Sequence, residues 1–251
     1  MNQTSPRYAL ITGAAGGIGR ALVQEFHANG YSVIAMDMMP QPADMPCVEY
    51  VHADLEKIVA DPAYGNNVIA DLKVVIGHCG LRALINNAAV QILGSADSLT
   101  REDWERTLKV NLLAPFFLAQ ALLPDLEQAN GCIVNVSSIH ARLTKKDFIA
   151  YATSKAALSG MTRAMAIDLG GRVRVNAIEP AAIDTEMLKA GFLDNPAGYH
   201  QLQAYHPQGK IGLPDEVATC ALVIANGSMP FLHGACIPLD GGIGACLHDP
   251  K

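Results

Sequence analysis

Tyr151 and Lys155 stand four positions apart in Tyr151-Ala-Thr-Ser-Lys155. On a helix that spacing puts both side chains on one face, one turn from each other. A free tyrosine is a poor acid–base group, because its pKa is about 10. An ammonium held beside it favours the phenolate and draws that pKa toward neutrality. The surrounding residues supply the helix: Ala150, Ala152, Ala156, Ala157, Leu158, Met161, Ala164, Met165 and Ile167 give it a wide apolar face. A Tyr-x-x-x-Lys pair alone equally describes a surface tyrosine beside a solvated lysine, so the rest of the chain decides.

A second stretch binds rather than reacts. Tyr8-Ala-Leu-Ile-Thr12 reads as a strand, Gly13-Ala-Ala-Gly-Gly-Ile-Gly19 as a turn, and Ile18, Ala21, Leu22 and Phe26 as the apolar stripe of a helix ending near Gly30. Tyr31 to Met36 is a second strand, closed by Asp37. Strand, glycine turn, helix, strand and acid, in that order, make a dinucleotide-binding βαβ unit. The glycines let a pyrophosphate approach the helix N-terminus, where free N–H groups and the helix dipole favour anions. Asp37 lies about twenty residues on, where an acid meets the adenosine ribose hydroxyls.

Further strands follow at Cys47–Val51, Arg82–Ile85, Cys132–Val136, Arg172–Ala177 and Ala235–Leu239. Residues 56–67, with Pro62, Gly65 and two asparagines, read as a loop before a helix at Val68–Ile76. Thr100-Arg-Glu-Asp103 is a capping box opening a long helix to about Glu127, with a break expected near Pro115. Residues 184–210 read as a helix-and-loop lid, and Pro214 opens a last helix to about Ala225. Alternating strands and helices predict an α/β, Rossmann-like, doubly wound parallel sheet of about seven strands, with helices on both faces and one domain throughout.

Composition narrows the class. The net charge of -6, with no basic cluster to offset it, argues against nucleic acid as a partner. Charged residues make up only 17% of the chain and half of it is hydrophobic, which points to buried subunit contacts. Six cysteines show no C-x-x-C pair, and no histidine–carboxylate cluster suggests a metal. No signal peptide precedes the first strand, and the apolar run Leu112–Leu123 is too short to span a bilayer, so a soluble cytoplasmic protein is expected.

Taken together, Thr12-Gly-Ala-Ala-Gly-Gly-Ile-Gly19, Asn86-Asn-Ala, Asn111, Ser138 thirteen residues before Tyr151, Tyr151-x-x-x-Lys155 and Asp240-Gly-Gly resemble a single-domain short-chain dehydrogenase/reductase over essentially the full length. The resemblance implies hydride transfer between a secondary alcohol or ketone and NAD. Tyr151 would be the general acid–base, Lys155 would lower its pKa and hold the nicotinamide ribose, and Ser138 would hydrogen-bond the substrate oxygen. Asn111 would hold a helix distortion and a water that relays protons. It also implies cofactor contacts at Gly13, Gly17, Ile18 and Gly19 of the turn, at Asp37, at Asp54 and Leu55 around the adenine, at Asn87 and Ala88, and at Pro180 and Ile183. Asp54 reads equally as a turn acid. The family's usual Pro-Gly after strand six is Pro180-Ala181 here, which bears on substrate size.

Asp37 with Met38 and Met39 behind it, and no lysine or arginine between Arg20 and Lys57, favours NAD over NADP. The pocket is expected from Ser138–Leu143, Gln91–Gly94 and the lid, and suits a small or medium polar alcohol: a hydroxy acid, polyol or cyclic diol. His140, His200 and His206 lie near it and read as ordinary surface or packing residues. The family commonly forms homotetramers through its long central helices and its C-terminal region. A 3-oxoacyl thioester reductase shares every motif quoted. A nucleotide sensor on the same fold would not need Ser138, Tyr151 and Lys155 together.

Overall fold

The computed structural model describes residues 6–247. Seven parallel strands form one sheet in the order β3-β2-β1-β4-β5-β6-β7. They are β1 (Arg7–Thr12), β2 (Tyr31–Asp37), β3 (Glu49–His52), β4 (Leu81–Asn86), β5 (Cys132–Val136), β6 (Arg174–Pro180) and β7 (Cys236–Leu239). Successive side chains on a strand point to opposite faces. Ala9 and Ile11 therefore join one core while Leu10 joins the other. That is why β1 is apolar at every interior position rather than alternating.

On one face, α1 (Gly17–Ala28) and α10 (Pro214–Ala225) pack over the sheet, with Phe26 and Ala221 wholly buried. The other core gathers α2 (Leu55–Ala60), α3 (Pro62–Ile76), α5 (Ala114–Ala121), α6 (Leu123–Gln128) and the end of α7 (Ile149–Leu169). The strands end along one edge, where Asp37, Asn86, Val136, Pro180 and Leu239 lie. Ligands of open α/β sheets bind at that edge.

One expectation is corrected and another refined. Residues 56–67 are not a loop. Asp54 caps α2 by accepting from Glu56 N, and Asp61 caps α3 by accepting from Ala63 N and Tyr64 N. Pro62 then occupies the first turn, where its missing N–H costs nothing. Gly65 is needed because a Cβ there would stand 2.7 Å from the Ile58 carbonyl oxygen. The long helix is also interrupted near Pro115, as expected, but not by the proline itself. After α4 (Arg101–Leu108), opened by the Thr100/Asp103 capping box, residues Lys109–Leu113 form a π turn. Pro115 sits in the first turn of α5, and the chain breaks again at Leu122.

The lid contains α8 (Glu186–Ala190) and α9 (Pro196–Tyr205). Its two legs are joined where Gly212 N donates to the Ala182 carbonyl and Asp184 N to the Gly212 carbonyl, at 3.0 and 2.8 Å.

Candidate active site

Tyr151 and Lys155 lie in the first two turns of α7, beside the ends of β5 and β6. Lys155 is buried, and its Nζ donates to the Val136 carbonyl at 2.8 Å. Burial pulls its pKa down from 10.5 to about 8. The ammonium stands 5.7 Å from the centre of the Tyr151 ring. The tyrosine does not behave as the spacing predicted: burial raises its pKa above 10, with the Ser138 hydroxyl pulling the other way. Burial is the larger effect, and the hydrogen bond of the lysine goes to the Val136 carbonyl.

Ser138 lies two residues past β5 and opens a short turn, Ile139–Ala141. Its Oγ accepts from His140 N at 3.2 Å, so the hydroxyl hydrogen remains free to be donated. The His140 ring stacks on Phe148, with centroids 4.4 Å apart, and meets the Tyr151 ring edge-on at 5.8 Å. Burial, with Lys145 adding to it, pushes the His140 pKa down to about 4, so the ring is neutral at physiological pH. Gly94 N bonds to the Asp147 carbonyl, which brings the Gln91–Gly94 segment alongside. His200 is exposed on α9. His206 is buried, with Nδ1 on the Leu202 carbonyl.

Asn111 lies in the π turn and is buried. Its Oδ1 accepts from Val90 N, and its amide hydrogens go to the Val90 carbonyl and Ser154 Oγ. The expected helix distortion is therefore present. Ser154, one residue before Lys155, is a link that the sequence did not single out.

The glycine turn has the features of an anion cradle. Gly16 offers no side-chain cap, and the first turn of α1 carries no acid. Gly13 has φ +66°, and a Cβ on it would stand 2.7 Å from Ala88 Cα. Gly19 sits so close to the Gly13 carbonyl that any side chain would collide with it. Gly17 faces Thr185, two residues past Ile183. Thr12 ties the turn to the next strand end, its Oγ accepting from Asn87 N and Ala88 N at 3.1 Å each.

Asp37 does not splay into solvent. Its Oδ2 accepts from Ala15 N and its Oδ1 from Met39 N, both at 2.9 Å, so the carboxylate faces the turn. Asp54 is a helix cap, with Leu55 buried behind it. Counting bases along the sequence passed over one residue: Arg20 reaches back to the turn, its Nε donating to the Ala15 carbonyl at 2.9 Å. No group of metal-ligating side chains occurs among the described residues.

A Rossmann-type sheet with an open anion cradle at one strand end and a Ser–Tyr–Lys group two strands away defines a dinucleotide-dependent oxidoreductase. Comparison with known proteins gives the family. A profile described as Enoyl-(Acyl carrier protein) reductase matches residues 13–244. D-threitol dehydrogenase of Mycolicibacterium smegmatis is 33% identical over 244 residues, covering 94% of this chain and 92% of that protein. The 3-oxoacyl-acyl-carrier-protein reductase of Thermotoga maritima is 33% identical over 242 residues, covering 94% and 97%. The ligand-free aldohexose dehydrogenase of Thermoplasma acidophilum superimposes with a TM-score of 0.90 at 28% identity, covering 98% of this chain and 97% of that one. The chain belongs to the short-chain dehydrogenase/reductase family and is an oxidoreductase acting on CH–OH groups with a nicotinamide cofactor.

Proposed function

We propose that the protein is an NAD-dependent dehydrogenase that oxidises a secondary alcohol of a small neutral polyol, with Tyr151 as general acid–base. The observation that carries the reading is the shared setting of Ser138, Tyr151 and Lys155, with a free hydroxyl hydrogen, a half-buried phenol and a buried amine together at one strand edge. In oxidation the Tyr151 phenolate takes the alcohol proton. The Lys155 ammonium stabilises that phenolate, and the Ser138 hydroxyl donates to the oxygen as charge develops on it. A bound nicotinamide would supply the hydride acceptor. Gly13, Gly17, Ile18 and Gly19 would cradle its pyrophosphate. Asp37 would take the ribose hydroxyls, Asp54 and Leu55 would flank the adenine, and Asn87, Ala88, Pro180 and Ile183 would line the rest. Asn111 would hold the relay water in the π turn.

His140 supports a neutral substrate. Its Nδ1 lies 3.2 Å from Thr144 Oγ1, and its other ring nitrogen has no partner among the described residues. A neutral imidazole hydrogen-bonds a hydroxyl but offers a carboxylate no charge. The test is a panel of four-carbon polyols, vicinal diols, hydroxy acids and a 3-oxoacyl thioester, followed by cofactor absorbance. A thioester turned over faster than every polyol would overturn the substrate reading.

For the cofactor, the facing carboxylate supports NAD. A 2′-phosphate would meet a like charge there. Arg20 at the same turn is the observation on the side of NADP. We expect kcat/KM with NAD to exceed that with NADP by at least about tenfold, since each 1.4 kcal/mol of repulsion gives a factor of ten. A smaller preference would sink the proposal. Asp37→Ser with Met38→Arg should move the ratio toward NADP, because it removes the repulsion and adds a phosphate donor.

A homotetramer fits the surface. Leu113 and Phe117 are exposed by the π turn and α5, and Ile167 on α7. Phe231 and Leu247 are exposed on either side of β7 in sequence. Light scattering at micromolar concentration should give the mass of four chains, and a monomeric peak would refute it. The described helices include none long and apolar enough to cross a membrane, and all six cysteines are free thiols. Free thiols support a cytoplasmic setting.

A further inference from the structure

Glu179 lies inside β6 with its side chain 2% exposed. A buried carboxylate needs a charge partner and hydrogen bonds to every lone pair it can use. Arg142 supplies the charge: its Nε donates to Glu179 Oε2 at 2.7 Å. Ser159 Oγ donates to Oε1 at 2.9 Å. Ser159 in turn lies 2.9 Å from Ser137 Oγ, which donates to the Lys155 carbonyl at 3.0 Å. The second arm of Arg142 faces Asp240 Oδ2 at 3.7 Å, beside the C-terminal turn.

Arg142 caps the end of the turn that Ser138 opens. The turn itself is held by short-range bonds only: Ala141 N to the Ser138 carbonyl, and Arg142 N and Leu143 N to the Ile139 carbonyl. Within it, the His140 ring packs on Phe148 and Tyr151 at the start of α7. The Arg142–Glu179 pair adds a directional tether, because Glu179 is buried in β6 and is bonded through Ser159 to the helix that carries Tyr151 and Lys155.

We propose that Arg142 is a positioning residue, latched to buried Glu179, that sets where the Ser138 hydroxyl stands relative to Tyr151. It acts through Ser138 and does not touch substrate. Two acidic neighbours already take its charge, so it is poorly suited to bind an anionic substrate. The inference rests on the proposed role of Ser138 in holding the substrate oxygen.

The test is a double-mutant cycle with Ser138→Ala and Arg142→Ala, read as kcat and KM for the alcohol and as the dissociation constant for reduced cofactor by fluorescence. Arg142→Ala alone should lower kcat about tenfold or more and leave cofactor affinity within about twofold, because the glycine turn is untouched. In the Ser138→Ala background the same change should lower kcat by less than about twofold. An equal loss in both backgrounds would overturn the proposal. A Ser138→Ala enzyme of native rate would instead overturn the underlying reading, a separate outcome. Arg142→Ala with Glu179→Gln removes both charges. Restored thermal stability with kcat still low supports positioning. Restoration of both would show charge compensation only and overturn it. Should Arg142→Ala not fold, Arg142→Lys serves in the same cycle, since it keeps the charge but loses the fixed geometry of the guanidinium.

Discussion

Tyr151→Phe should lower turnover by at least about a hundredfold, within the 10²–10⁴ range of a lost general acid–base group. The change removes one oxygen from a half-buried ring and leaves the ring's contacts with His140 and Phe148 in place. Folding and cofactor binding should therefore survive. The phenol's pKa lies above its ordinary value, so the phenolate that accepts the alcohol proton grows as pH rises. Alcohol oxidation by the native enzyme should accelerate from neutral pH into the alkaline range, and the residual rate of the Phe variant should lose that rise. Steady-state kinetics across pH, with cofactor affinity measured separately, decides it. A Phe variant with near-native rate would remove the mechanism.

Lys155→Met should abolish useful turnover while making the protein more stable at neutral pH. The buried amine has its pKa lowered from 10.5 to about 8, a difference worth about 3 kcal/mol against folding when the group is charged. Between those two values the unfolded chain holds more protons than the folded one, so native stability rises with pH across that window. The cost is fully present below about pH 8 and is relieved as pH approaches 10.5. Methionine removes the cost but strands the Val136 carbonyl, which takes back about 1–3 kcal/mol. A net gain of about 1 kcal/mol would raise the melting temperature by roughly 2–4 °C. That gain should shrink or reverse above about pH 10. Calorimetry at neutral and alkaline pH measures both signs. A variant less stable at pH 7 than the native protein would show that the amine is not held at a cost. Cofactor affinity should weaken too, since the same ammonium is proposed to reach the nicotinamide ribose.

Features set by neighbours along the chain were legible from the sequence. The βαβ unit, the Thr100 capping box and the one-face spacing of Tyr151 and Lys155 depend on residues a few positions apart. Misread features had local signals that pointed two ways. Pro62 and Gly65 suggested a loop, yet Asp61 followed by Pro62 is also a helix cap and its first residue. Proline at position 115 suggested the break itself, yet it also fits the start of a helix. What could not be read at all was set by tertiary contact. The tyrosine's pKa depends on burial, which no spacing reports. Arg20 returns to the glycine turn only because α1 rotates it there. Glu179 and Arg142 are separated by 37 positions. A glutamate between Ile178 and Pro180 near the end of β6 was the one available hint that a buried charge pair existed.

Pro238 stands in β7, the last strand of the sheet, opposite Glu179 in the register. Proline has no N–H to offer, so the outer side of this strand cannot form a continuous ladder with another chain. An edge of a long parallel sheet is a template for runaway main-chain addition between copies, and this one is interrupted near its middle. A second copy meeting this edge would have to be recognised by side chains and not by main-chain pairing. Crowded or partly unfolded copies are correspondingly hindered from stacking sheet to sheet into fibrils there.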